Sequence, residues 1–170
     1  MYVEPPYGKD DVTQKLRLMA IGFLDAAEKL SNEMEHGSWD GSFERGQPVL
    51  LLGFHATELF IKACLNKLGE SVPNSHSLGE LNLKLSNVRP ELELDVPFGP
   101  MPVPSPDDEL MELVLASDKN AHQQLRYPAD TKGQTWGGVR SFSPMLFSED
   151  LRKLRLEIER VSELVFGSSV

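Results

Sequence analysis

Between Val49 and Leu65 nearly every residue is apolar, so a helix over this stretch has no face to give to water. Such a helix must lie at the centre of a bundle, covered by neighbours on several sides. Charged side chains are rarely buried without partners. Yet this helix carries His55, Glu58 and Lys62 along one line, and a second imidazole, His76, follows the stop at Gly69. Glu58 and Lys62 stand in the favourable order for an i, i+4 pair. A buried carboxylate needs more than one donor. Glu58 is therefore expected to accept also from His76, Arg126 or Tyr127, and so to pin the following segments to the central helix.

The rest of the pattern is helical almost throughout. Asp10 or Asp11 can cap a first helix reaching about Glu35, with Leu16, Met19, Phe23, Ala26, Leu30 and Met34 stepping by three and four. Gly37 ends it. The central helix is expected from near Pro48, a good first-turn residue, to Leu68. Ser77 caps a short third helix with Glu80 at the capping-box position and Leu78, Leu81 and Leu85 inward. Residues 90–106, rich in proline, read as an extended connection over the surface. Asp107-Asp108-Glu109 suits the start of a fourth helix that ends before Pro128. Residues 129–142 form a loop. Ser143-Pro144 or Ser148 opens a fifth helix whose seam is Phe147, Leu151, Leu154, Ile158, Val161 and Val165. The expectation is an all-α chain: an antiparallel up-and-down bundle of four long helices and one short one. A single domain spans 1–170, with a tail over 1–9.

The chain has 170 residues, enough to bury a core. Its net charge of -9 argues against broad electrostatic binding to nucleic acid or to an anionic membrane, though not against a local basic site. One cysteine, Cys64, excludes an internal disulfide and a cysteine metal site, and reads as a small buried hydrophobe. The N-terminus has neither a basic nor an apolar leader region, and the apolar run Val49–Phe54 is short for a bilayer; a cytoplasmic address without membrane partners is expected.

Three features then coincide: the His55-x-x-Glu58-x-x-x-Lys62 line, the His76-x-Leu78 turn at a short helix, and the Arg126-Tyr127-Pro128 step closing the fourth helix. Together they resemble the HEPN superfamily (higher eukaryotes and prokaryotes nucleotide-binding), over Pro48–Leu85 and locally over Asn120–Pro128. The resemblance implies a helical bundle that commonly forms homodimers. It also implies a prokaryotic defence or toxin–antitoxin setting, beside a nucleotidyltransferase-type protein partner. Many HEPN proteins resemble RNA-processing nucleases that carry an arginine, then four to six residues, then a histidine. The imidazole moves a proton at the 2′-hydroxyl or leaving oxygen, and the guanidinium stabilises the phosphate. No arginine here precedes a histidine at that spacing.

His122 and Arg126, four apart, share a helix face in the reverse order, and are the candidate catalytic pair of a metal-independent endonuclease. His55, Glu58, Lys62, His76, Arg126 and Tyr127 are the candidate polar cluster or ligand site. Lys132, Trp136 and Arg140 form a candidate nucleic-acid loop, in which a base stacks on the indole while the cations meet phosphate. His55-x-x-Glu58 is half of a carboxylate-bridged metal site without a second copy, so neither a metal nor another cofactor is expected. Three functions follow: a non-catalytic HEPN-like module that binds a nucleotide, RNA or another partner; a ribonuclease; and a purely structural dimerisation domain.

Overall fold

The structure, a computed structural model, describes residues 12–37, 42–97, 123–127, 129–135 and 142–167. Among these the regular elements are all helical: α1 (Val12–His36), α2 (Phe43–Lys67), α3 (Leu78–Val88) and α4 (Pro144–Phe166), with one 3-10 turn at Pro90–Leu92. The expected caps Asp10 and Asp11, the body of the expected helix over 107–122, and Trp136 and Arg140 lie outside the described residues.

α2 is the central element. Residues 56–61 and 63–65 are all buried, and α1, α3 and α4 each pack against it. By length and composition alone α2 could cross a membrane, but it is mostly enclosed by its own bundle. It begins at Phe43, earlier than the expected start near Pro48, which instead lies inside the helix. The first turn closes without it, through Gly46 N–H donating to Ser42 O at 2.9 Å. Pro48 has no N–H to give to the Glu44 carbonyl, so the ladder loses a rung there.

α1 meets its neighbours through Ala20, Leu24, Ala27, Ser31 and Met34. Met34 is buried as expected, but before it the stripe is corrected by about one position: Leu16, Phe23 and Leu30 flank the core, and Met19 is half exposed. The small side chains of Ala20, Ala27 and Ser31 let the helix axes approach. Buried Ser31 forms a 2.8 Å hydrogen bond with Ser148 Oγ and donates to Pro144 O at 3.2 Å. Ser148 is therefore inside α4, and Ser143 is its cap, accepting from Leu146 N–H. The seam Phe147, Leu151, Leu154, Ile158 and Val161 is buried as expected, and Val165, its last position, is only partly buried against the core.

Of the connection expected over residues 90–106, residues 98–106 lie outside the described residues, and 90–97 do not run over the surface as the prolines suggested. Leu92 and Leu94 are in the core. Asn82 donates to Leu94 O at 2.8 Å and accepts from Leu94 N–H at 2.9 Å. Arg160 on α4 donates to Glu91 O and Glu93 O at 2.6 and 2.7 Å. Side chains thus satisfy backbone groups that the prolines leave without a ladder.

Candidate functional site

Glu58 lies one turn beyond the middle of α2, and its side chain is only 7% exposed. Lys62, one turn on, donates to Oε1 at 2.8 Å. His76 reaches the same oxygen from the turn before α3, with Nδ1 at 3.0 Å. His55 Nδ1 stands 3.6 Å from Oε2, an ion-pair distance that is long for a hydrogen bond. Burial pushes the Glu58 carboxyl upward, but His55, Lys62 and His76 outweigh it and hold it at about 2. Glu58 is ionised at neutral pH, and two imidazoles and an ammonium surround it.

Local sequence explains the arrangement. Lys62 is placed by helical spacing alone. His55 is steadied by the Phe23 ring of α1, edge-on at 4.7 Å. His76 precedes a fixed helix start: Ser77 Oγ accepts from Glu80 N–H at 3.1 Å, and Ser77 N–H donates to Ser75 Oγ at 3.1 Å. The Glu80 carboxylate accepts from Ser75 Oγ at 2.8 Å. The expectation that Glu58 gathers donors from a later segment is met by His76.

Arg126 and Tyr127 end the last described turn of the segment before Pro128, where Gln123 O accepts from both their N–H groups. Gln47 on α2 donates to Gln124 O at 3.3 Å and so fastens this turn to the central helix. Between them is a groove of about 500 Å³, lined by Glu44, Gln47, Pro48 and Leu51 on α2 and by Leu125, Arg126 and Tyr127 opposite. At its inner end a cavity of about 10 Å³ is walled by Leu51, Phe54, His55, Glu58, His76, Leu78 and Arg126. That is room for about one water molecule. Leu51 and Arg126 line both spaces, so the groove leads to the Glu58 cluster.

Tyr127 is 58% exposed and has a second hollow of about 350 Å³ on its other side, against Gln123, Ala129, Asp130 and Thr131. The chain then makes a tight turn. Asp130 Oδ1 accepts from the N–H groups of Lys132 and Gln134, both at 2.8 Å, and Gly133 takes φ +77°. Lys132 is exposed on this turn.

The structure thus places Arg126 and Tyr127 along the groove and His55, Glu58 and His76 around the small cavity that Arg126 also lines, with Lys62 paired to Glu58. Of the other candidates, His122, Trp136 and Arg140 lie outside the described residues. Glu44, Gln47, Pro48 and Leu51 were not singled out from sequence. Their signal was present: positions 44, 47, 48, 51, 55, 58 and 62 repeat by three and four on one helix face. Cys64 is fully buried, and burial pushes its thiol up to about 12, which leaves it unreactive. Among the described residues no group of three or more histidine, cysteine or acidic side chains is arranged to hold a metal. Compared with protein-family models, curated proteins and solved structures, the chain matches none.

Proposed function

We propose that this is a HEPN-like, non-catalytic binding module whose groove along α2 takes a nucleotide or a stretch of single-stranded RNA. The observation that carries the reading is the placement of Arg126 and exposed Tyr127 side by side in one wall of a groove about 500 Å³ in size. A guanidinium suits a phosphate, and a phenol ring suits a base stacked on it. Small-ligand sites are commonly concave and largely apolar, with a few convergent polar groups. The antiparallel, up-and-down arrangement is supported by the order of the α1–α4 contacts. Arg17 stacks on Phe166, Asp25 and Glu28 pair with Arg155, and Ser31 bonds Ser148. A homodimer is proposed from the same resemblance, with support from the exposed Leu156 and Leu164 of α4. A nucleotidyltransferase-type partner is proposed from the resemblance alone.

The test is equilibrium binding of a short single-stranded RNA at low salt with chelator present. Arg126→Ala and Tyr127→Ala should each weaken binding about tenfold, the scale of one stacked base or one charge-assisted contact. Absence of binding by folded wild type would sink this reading and leave a structural dimerisation domain.

A ribonuclease is the second reading, favoured by one observation. Glu58 holds His76 at Nδ1, and His76 and Arg126 line one small cavity, an imidazole and a guanidinium side by side. His122 remains the alternative imidazole. Cleavage abolished by His76→Ala but kept by His122→Ala would assign the role to His76, and the converse would assign it to His122.

A further inference from the structure

We infer that the groove along α2 takes guanine in preference to the other bases, and that Glu44 is the residue that reads it. This rests on the reading of the groove as a nucleotide site and names the base.

The inference starts from where the two charges of the groove wall stand. Arg126 lines both the groove and the small cavity beyond it, so its place is at the inner end, beside Leu51. Glu44 lines the groove alone, in the first turn of α2. A helix rises about 10 Å between positions 44 and 51. One nucleotide spans a similar length from its phosphate to the far edge of its base, and the groove of about 500 Å³ has the volume for it. With the phosphate at Arg126, the base lies over Pro48 and Leu51, against the exposed ring of Tyr127, and its outer edge arrives at Glu44.

The chemistry of the outer end selects the base. A carboxylate accepts hydrogen bonds and gives none. Gln47, the neighbouring polar side chain of this wall, donates to Gln124 O at 3.3 Å, which leaves its carbonyl oxygen as a further acceptor. The edge of the ligand must therefore donate. Guanine presents N1–H and the 2-amino group side by side, a pair that matches the two oxygens of one carboxylate. Adenine and cytosine each offer one amino group beside a bare ring nitrogen, whose lone pair a carboxylate repels. Uracil sets a carbonyl on either side of its one N–H. Single-stranded ligands leave these edges open to be read. The charges of Glu44 and Arg126 also oppose each other along the groove, so a ligand anionic at one end and rich in donors at the other is matched at both.

Glu44 has a plainer role as well: in the first turn of α2 its charge complements the helix dipole. That role touches stability and is blind to the ligand. The 5′-monophosphates of guanosine, inosine and adenosine separate the two, because they share one phosphate and one ring size and differ at the edge that faces Glu44. In calorimetric titrations guanosine monophosphate should bind about tenfold more tightly than adenosine monophosphate, with the inosine compound, which lacks the 2-amino group, between them. Glu44 is exposed, so Glu44→Gln keeps the fold. This variant should weaken guanosine monophosphate about tenfold and leave adenosine monophosphate no weaker, since an amide can accept from the 6-amino group and donate to N1. Tyr127→Ala should weaken all three alike, since it removes stacking and leaves the edge contacts in place. Equal affinities across the series, or a guanine preference that survives Glu44→Gln, overturns Glu44 as the reader of the base and leaves the groove reading standing. Absence of binding by all three, or binding that Tyr127→Ala leaves unchanged, overturns both.

Discussion

At the residue scale the molecule turns on Glu58. Replacing it by alanine leaves Lys62, 15% exposed, beside a void and without its acceptor. Removing one partner of a buried pair costs more than the pair's net worth, because the remaining charge is uncompensated. Glu58→Ala should therefore destabilise by about 2–4 kcal/mol and lower Tm by roughly 5–10 °C, readable by calorimetry. An unchanged Tm would show that the cluster is not part of what holds α2 to the α3 turn. The acid limb gives an independent check. The Glu58 carboxyl sits at about 2 in the fold against an ordinary value of 4.5. A lowered value in the folded state means the ionised form contributes stability above the ordinary value, and that this is lost as pH falls through 4.5 toward 2. The stability gap between wild type and Glu58→Gln should shrink by about 2 kcal/mol between pH 7 and pH 3. A constant gap in denaturant titrations would show that Glu58 gains nothing from its donors. The Glu58–Lys62 pair was legible from spacing alone, because i, i+4 geometry is local. The contact with His76 was legible as one of three options, since only tertiary structure selects which donor arrives.

At the scale of elements, two joints decide the shape. The first is the clasp of Asn82 on Leu94, a double hydrogen bond that carries the backbone from α3 back into the core. Asn82→Ala leaves both Leu94 backbone groups to find other partners, at a cost of about 1–3 kcal/mol. The loss should appear as a lower denaturation midpoint with an unchanged slope. The second joint is Gly46, where an added methyl would run into the Phe142 ring. Alanine is the better helix former by about 1 kcal/mol, but overpacking costs about 1–3 kcal/mol. Phe142 itself packs on Phe147 at 5.6 Å and has little room to retreat. Gly46→Ala is thus expected to destabilise, and a stabilised variant would mean that Phe142 moves aside freely. α1, α3 and α4 were readable from three-and-four periodicity because each has one face to bury, whereas α2 was readable as a run that is apolar on nearly all sides. The connection after α3 was misread because its signals are not periodic. Nothing local announces that Asn82 and Arg160, remote in sequence, will satisfy a proline-rich stretch and let Leu92 and Leu94 turn inward. The early start of α2 escaped for a related reason: Pro48 signals a first turn, but tertiary packing of Val49 and Gly46 carried the helix past it.

At the scale of the whole molecule, charge sets how nucleic acid could be held. A chain of net charge -9 repels RNA over most of its surface. On the proposed reading, attraction among the described residues centres on the groove, where Arg126 lines the cavity of the Glu58 cluster, and on the adjoining turn with exposed Lys132. Single-stranded nucleic acid releases counterions in proportion to the phosphates neutralised, with a slope of about -0.7 per contact in log affinity against log salt. One or two contacts predict a slope between about -0.7 and -1.4, far shallower than that of a protein built to track a backbone. Arg126→Ala should remove about one contact and flatten the line accordingly. Affinity would then come mainly from the ring of Tyr127 and the apolar groove wall at Leu51 and Pro48, which salt does not screen. A measured slope steeper than about -3 would contradict this, since it would require a cationic track that the groove does not contain. On the proposed reading, binding by one phosphate and one stacked base would favour short or single-nucleotide ligands over long RNA. That preference is measurable directly: affinity per molecule should level off once the oligonucleotide exceeds the groove, instead of rising with each added phosphate.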